Sequence, residues 1–380
     1  MPLIYSTNLS PKKKVIVGLS GGVDSSVAAY LLKEQGYDVT GVTMAIWDQP
    51  GNIPSTGKHS CYGPDEQDEI REAKEVAELL EIPHFVFDCS QRYKELVLEN
   101  FKQEYLAGRT PNPCVRCNQL IKFGMLPEVA RNEGLEFDSF ATGHYARVEL
   151  DHSTNRYLLK KGTDTFKDQT YFVYRLSQQQ LQHVLFPLGN LTKQEVREIA
   201  GKFNIDLSDK DESQDFYSGD YKDLLNVTDV PGNIIDRKGN ILGKHNGIWN
   251  YTIGQRKGLG IAYYEPLYVL ELDKDKNVVV VGTHVESLSA SFIVNDLNWI
   301  AIKHLTQKVE VTVKIRSSQK GSGASIEPID EQTVKVTYYD GHEGITPGQS
   351  AVFYIDDLVI GGGTIHSVIK NEPSEHGIHG

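Results

Sequence analysis

The sequence predicts an α/β fold, a doubly wound parallel sheet, followed by a small antiparallel β-barrel. Three observations carry this expectation. Apolar runs alternate with amphipathic helical stretches as far as Thr142, the pattern changes near Leu207, and short alternating runs recur from Leu267 onward. Residues Lys14 to Leu19 (KVIVGL) form an apolar run of the kind buried on both faces of a parallel sheet. From Val23 to Gln35 the residues Val27, Ala28, Leu31 and Leu32 recur at helical spacing, and Gly36 closes the helix. Tyr37 to Trp47 reads as the second strand. Asp65 to Leu80 is an acidic helix with Ile70, Ala73, Val76, Ala77 and Leu80 on one face. His84 to Asp88 and Phe137 to Thr142 supply two more strands. A ligand of such a sheet sits beyond the carboxyl ends of its strands.

Ser208 to Asp229 is polar and irregular, with short strands expected around Ile234 and Ile241. The runs Leu267–Leu272, Asn277–Val281, Ser291–Val294, Val309–Ile315, Thr333–Tyr339, Ser350–Tyr354 and Leu358–Ile360 alternate like barrel strands. Asn371 to Gly380 reads as disordered.

A chain of 380 residues is long enough for two or three domains. No apolar run approaches the roughly 18 residues of a membrane span, so no membrane partner is expected. Met1 to Pro11 lacks the apolar core of a signal peptide. Four cysteines, two of them spaced C-x-x-C, fit a reducing compartment and a cytoplasmic protein. The net charge of −12 opposes nucleic acid as a whole-surface partner. Local basic clusters remain: Lys12 to Lys14, Arg109 with Arg116 and Lys122, Lys160-Lys161 with Lys167, and Arg256-Lys257.

The strongest chemical signal is Ser20-Gly21-Gly22-Val23-Asp24-Ser25-Ser26, placed between a buried strand and a helix. Glycines let backbone N–H groups turn inward, the helix N-terminus adds partial positive charge, and serine hydroxyls offer further donors to phosphate. Asp24 either orients the loop or holds Mg²⁺ against the phosphates. The loop lacks the lysine of the kinase and GTPase type. It resembles the loop of the ATP-pyrophosphatase superfamily, whose members adenylate a carbonyl oxygen and release pyrophosphate.

Five further motifs follow in order. They are Gly108-Arg109-Thr110-Pro111-Asn112-Pro113-Cys114-Val115-Arg116-Cys117-Asn118, Ala141-Thr142-Gly143-His144-Tyr145-Ala146-Arg147, Lys167-Asp168-Gln169-Thr170-Tyr171-Phe172, Glu212-Ser213-Gln214-Asp215, and Tyr251-Thr252-Ile253-Gly254-Gln255-Arg256-Lys257-Gly258-Leu259-Gly260. With Gly348 to Tyr354 and Gly361-Gly362-Gly363, the ordered set resembles the tRNA-specific 2-thiouridylases over essentially the whole chain.

The resemblance implies three domains. These are an ATP-pyrophosphatase (adenine nucleotide alpha hydrolase-like) domain over 1–207, a central domain over 208–286 and a C-terminal antiparallel β-barrel over 287–372, with 373–380 a disordered tail. It also implies ATP-dependent adenylation of C2 of the wobble uridine in the anticodon loop of tRNA. Sulfur then displaces AMP to give 2-thiouridine, with a sulfur donor protein or sulfide as further partner. By matching position, Gly18, Leu19, Ser20, Gly21, Gly22, Val23, Asp24 and Ser25 cradle ATP, Met44 packs on adenine and Gly143 lines the pocket. Asn112, Pro113 and Cys114 face the target base. His144, Lys167, Asp168, Gln169, Arg316, Ser317 and Gln349 touch tRNA. Cys117 takes the catalytic position, with Cys114 and Asp24 beside it.

The chain departs from the family at Tyr217, where a second, sulfur-carrying cysteine is usual, and at Cys114, where many relatives have Asp. Three routes stay open. Cys114 and Cys117 act as a redox pair, with Arg116 favouring the thiolate; or Cys61, Cys114 and Cys117 ligate an iron–sulfur cluster; or the chain binds ATP and tRNA without thiolating. An ATP-pyrophosphatase with another acceptor is the rival enzyme. Cys89 reads as a core thiol.

Overall fold

The computed structural model describes residues 12–48, 60–203, 215–217, 219 and 221–369. The motif residues Glu212, Ser213 and Gln214, and the tail 373–380, lie outside the described residues.

The first domain is built on strand β1 (Lys14–Gly18), whose Val15, Ile16 and Val17 are at most 1% exposed. Burial of this β-branched run on both faces places β1 inside the sheet. It pairs in parallel with β2 (Asp38–Ala45) on one side and with β5 (Ser139–Ala141) on the other. β4 (His84–Asp88) and β8 (Val184–Leu185) complete the five-stranded order β4-β2-β1-β5-β8. Helix α1 (Val23–Glu34) leaves β1 and buries Val27 and Ala28 against Val196 and Ala200 of the later helix α4 (Lys193–Lys202). Helix α2 (Glu66–Leu79) covers the same domain with Ala73, Val76 and Ala77. The connections diverge from β1 toward β2 and β5, and that divergence opens a crevice at their carboxyl ends.

A short strand β3 (Ser60–Tyr62) pairs in parallel with β9 (Asp215–Tyr217), bringing Tyr62 beside Tyr217. The first domain therefore uses chain beyond residue 207. Helix α3 (Pro113–Cys117) carries the C-x-x-C segment and runs directly into a π-helical stretch, Asn118–Met125. Asn112 caps it by accepting the Val115 N–H at 3.2 Å.

After β9 comes a four-stranded mixed sheet. Its order is Ile241–His245, Gly232–Ile235, Val278–Gly282, Tyr268–Asp273, around Ile234, Val269, Val279 and Val281. The runs expected at Leu267–Leu272 and Asn277–Val281 thus belong to the central domain, where Gly232–Ile235 supplies the parallel neighbour. The barrel begins at Ser289. Six antiparallel strands run in the order Ser289–Trp299, Val334–His342, Ser322–Pro328, Val309–Lys314, Ser350–Ile355 and Leu358–Ile369, and the last pairs with the first to close it. Closure removes exposed sheet edges.

The barrel is joined firmly to the first domain. A hairpin of β6 (Ala146–Asp151) and β7 (Arg156–Lys161) extends the barrel sheet by pairing Lys160 with Leu358. Arg156 donates to the carbonyls of Ile300 and Trp299, and the buried Tyr171 hydroxyl donates to those of Ile315 and Ser350. The glycine run at 361–363 makes this possible: a Cβ on Gly362 would lie 2.7 Å from the Tyr174 ring. Among the described residues, no helix is long and apolar enough to cross a membrane.

Candidate functional site

A cavity of about 480 Å³ occupies the crevice at the ends of β1, β2 and β5, with the Ser20–Ser25 loop on its floor. Gly21 adopts φ +70°, where a side chain is strained, and a Cβ there would meet Glu72 at 2.8 Å. The Ser20 N–H donates to Ser25 Oγ at 3.2 Å. The hydroxyls of Ser25 and Ser26 donate to the Gly22 carbonyl at 3.1 and 2.8 Å. Both hydroxyl protons expected for phosphate are therefore used to fold the loop. The Ser20 hydroxyl donates to Ser25 Oγ at 3.2 Å, so the donors left facing the cavity are the first-turn N–H groups of α1.

Asp24 is held from two sides. Both of its carboxylate oxygens accept from Lys193 Nζ at 2.9 Å, and Oδ1 also accepts from the Tyr145 hydroxyl at 2.9 Å. This ties the start of α1 to the start of α4. Gly143 packs against the same turn: a Cβ there would lie 2.7 Å from the Asp24 carbonyl carbon and 2.8 Å from Ser25 N. Any side chain would push the loop out of place.

The lining also includes the apolar side chains of Val42, Met44, Ile46, Ile70 and Leu126. Lys122, Lys167 and Arg197 bring cationic side chains to the same lining, a setting for polyphosphate, while the Lys193 ammonium is held by Asp24. Glu66, which the sequence did not single out, accepts the N–H groups of Ile46 and Trp47 at 2.6 and 2.9 Å and fixes the end of β2. Burial raises its pKa against those two bonds. One glutamate in an acidic helix carries no sequence signal of such a role.

The thiols gather beside this cavity. Cys61 is exposed and lines it. Cys114 and Cys117 are partly buried one turn apart on α3. The Tyr93 hydroxyl is pushed well above its ordinary range by burial and then by the adjoining thiols of Cys117, Cys61 and Cys114. Burial pushes the Cys117 thiol up to about 12, opposed by Lys122. Arg116, expected to favour the thiolate, points elsewhere: its Nε donates to the Leu96 carbonyl, and it lines a separate cavity. Lys122 is the cation acting on Cys117. Cys89 is a core thiol, 1% exposed and pushed up to about 12 by burial. Among the described residues, no three His, Cys, Asp or Glu side chains are grouped to hold a metal ion.

The expected RNA-contacting residues separate into two groups. Lys167, Gln169 and His144 lie in the cavity wall. Gln169 Oε1 accepts the Tyr145 N–H at 3.0 Å. The His144 ring packs against Phe123 and Phe186 and meets Thr142 Oγ1 at 2.7 Å. Burial, then Lys122, holds its pKa well below the usual histidine range. Asp168 accepts from the Thr170 hydroxyl at 2.8 Å. Gln349 and Arg316 instead hold parts of the chain together. Gln349 Nε2 donates to the carbonyls of Thr110 and Pro111 at 3.0 and 2.9 Å, clipping the segment before Cys114 to the barrel. Arg316 reaches the carbonyls of Ile253 and Gly344 at 3.5 and 3.3 Å, between central domain and barrel. Ser317 is exposed. Asn112 lines a second, polar cavity of about 370 Å³ with Arg109, Arg116 and Arg175. Arg109 is paired there with Glu104 at 2.7 and 2.6 Å, so the cluster Arg109, Arg116, Lys122 is not one basic surface.

Comparison with known proteins covers the chain in three blocks. Residues 13–217 match the model described as the tRNA methyl transferase HUP domain. Residues 222–283 match the tRNA methyl transferase PRC-barrel domain, and 289–365 the aminomethyltransferase beta-barrel domain. The chain is 51% identical to the tRNA-specific 2-thiouridylase MnmA of Endomicrobium trichonymphae, over 94% of this chain and 100% of that one. It is 48% identical to MnmA 1 of Caldanaerobacter subterraneus, over 94% and 99%. With MnmA of Clostridium perfringens it shares 44% identity over 94% and 99%.

Proposed function

The chain belongs to the tRNA-specific 2-thiouridylase family, and from that premise we infer that it is an ATP-dependent tRNA sulfurtransferase acting on uridine C2. One observation carries the chemistry: a phosphate cradle and a set of thiols adjoin. Cys61 lines the ATP cavity, and Lys122 both lines it and acts on Cys117. Neighbouring thiols supply what sulfur transfer needs and what methyl transfer, the term in the domain descriptions, does not.

The proposed reaction starts at the wobble uridine, which lies in a single-stranded loop and can be splayed out at small cost. Its C2 oxygen attacks the α-phosphorus of ATP, and pyrophosphate leaves. Backbone donors of Ser20–Ser25 and the cavity cations hold the triphosphate through this step. Cys114, in the first turn of α3 where backbone N–H groups favour negative charge, carries a persulfide sulfur. The terminal sulfur attacks C2 and AMP leaves with the old oxygen, giving a C2–S–S–Cys114 adduct. The Cys117 thiolate then attacks Cys114 Sγ. Thiouridine leaves, and a Cys114–Cys117 disulfide remains for an external thiol to reduce. Lys122 assists loss of the Cys117 proton.

The described residues do not form a metal site. The carboxylates of Asp24 and Glu66 are engaged by protein donors, and Mg²⁺ would arrive with the triphosphate. The three thiols lack the grouping of cluster ligands, and no step is assigned to iron.

The test is a reconstituted reaction with ATP, unmodified tRNA and a persulfide donor. One AMP and one pyrophosphate per 2-thiouridine are expected. Nucleotide turnover with no thiouridine would favour the paralogue without thiolation.

A further inference from the structure

Phe166 is 98% exposed, more than any other large apolar side chain among the described residues. A solitary exposed phenyl needs no explanation in general. This one is displayed on a hydrogen-bonded turn directly before a residue that lines the site. Asp164 organises that turn: its Oδ1 accepts the N–H groups of Phe166 and Lys167 at 3.0 and 3.2 Å, and its carbonyl accepts the Lys167 N–H at 3.1 Å. Its other oxygen, Oδ2, accepts the Lys193 N–H at 3.0 Å, tying the turn to the helix that holds Asp24. The Thr163 N–H donates to the Gly189 carbonyl at 2.9 Å. Lys167, the next residue, lines the ATP cavity, as do Gln169 and Arg197.

An aromatic face beside cavity cations, on a turn that need not order itself on binding, is the composition of a platform for single-stranded nucleic acid. We propose that Phe166 stacks on an unpaired RNA base next to the target uridine and thereby holds that uridine over the cavity. The inference rests on the tRNA reading above and adds a positioning residue to it. Phe166 supplies stacking without charge, while Lys167 and Arg197 supply charge without stacking. The two contributions respond differently to salt.

The experiment measures the affinity of unmodified tRNA, and of anticodon stem-loops carrying one abasic loop position each, for wild type, Phe166→Ala and Phe166→Trp. Phe166→Ala should weaken tRNA binding by about 5- to 150-fold, the range for losing one stacked base. The slope of log Kd against log salt should stay unchanged, since no phosphate contact is lost. Phe166→Trp should restore binding, and KM for ATP should not move. One abasic stem-loop should bind wild type as weakly as intact RNA binds Phe166→Ala, with no further loss in the variant. Wild-type affinity in Phe166→Ala overturns the inference and leaves the tRNA reading standing. So does a loss confined to sulfur delivery from a protein donor, which would make Phe166 a protein contact. Absence of tRNA binding by the wild-type protein overturns both.

Discussion

Replacing Lys193 with methionine keeps the length of the side chain and removes the ammonium that holds both oxygens of Asp24. The two side chains are 13% and 22% exposed, so water screens the abandoned carboxylate only in part. Removing one partner of a fully buried pair costs about 3–5 kcal/mol. Here the Tyr145 hydroxyl still donates to Asp24, and the partial exposure reduces the loss further, to about 2 kcal/mol. Asp24 opens α1 and touches Gly143, so the loss falls on the shape of the phosphate loop. If it is taken entirely from nucleotide binding, KM for ATP rises about 30-fold. The assay is pyrophosphate release at saturating tRNA, with Tm recorded beside it. Asp24→Asn in the Lys193→Met background should recover part of the loss, because a neutral amide needs no counter-charge, and the double-mutant cycle should show coupling. A Lys193→Met enzyme with unchanged KM and Tm, or strict additivity of the two changes, would refute the reasoning. Additivity would place Lys193 directly on the phosphates.

Three more outcomes are expected. Gly143→Ala should raise KM for ATP and lower Tm, since the new Cβ meets backbone 2.7 Å away and overpacking costs about 1–3 kcal/mol; steady-state kinetics and melting measure both. Cys114→Ser and Cys117→Ser should each abolish 2-thiouridine formation, read by nucleoside mass spectrometry, while Cys61→Ser retains it. Loss of thiolation in Cys61→Ser would reopen the three-thiol route. The folded protein keeps His144 neutral below the ordinary histidine pKa, so the unfolded chain binds more protons there. Stability from this group is complete above about pH 6.5 and is lost as pH falls toward the depressed value. Tm should drop on acidification below pH 6.5, and His144→Gln should flatten that drop.

The parallel sheet and its loop were legible because they are local. A β-branched run followed by Ser-Gly-Gly and an amphipathic helix states strand, cradle and cap within about twenty residues. What escaped the sequence depends on pairings far apart in the chain. Nothing in Lys160 announces that it will pair with Leu358, nor in Gln349 that it will clip Thr110 and Pro111. The assignment of Arg116 to the thiols failed for a different reason. In the sequence Arg116 adjoins Cys117, yet one residue along an α-helix turns the side chain by about 100°. Lys122 lies five residues beyond Cys117 in the π-helical segment Asn118–Met125, whose i to i+5 spacing departs from the α-helical phase. A helical phase of 3.6 cannot foresee that partner. Likewise Ser25 and Ser26 look like phosphate donors until the Gly22 carbonyl is seen to take both protons.

Adenylation at the carbonyl oxygen is the central claim, and oxygen tracing reaches it directly. A tRNA whose wobble uridine carries ¹⁸O at C2 is thiolated with ATP and a persulfide donor, and the AMP is weighed. The account predicts one ¹⁸O in each AMP formed, in step with 2-thiouridine. Unlabelled AMP alongside full thiolation would contradict it.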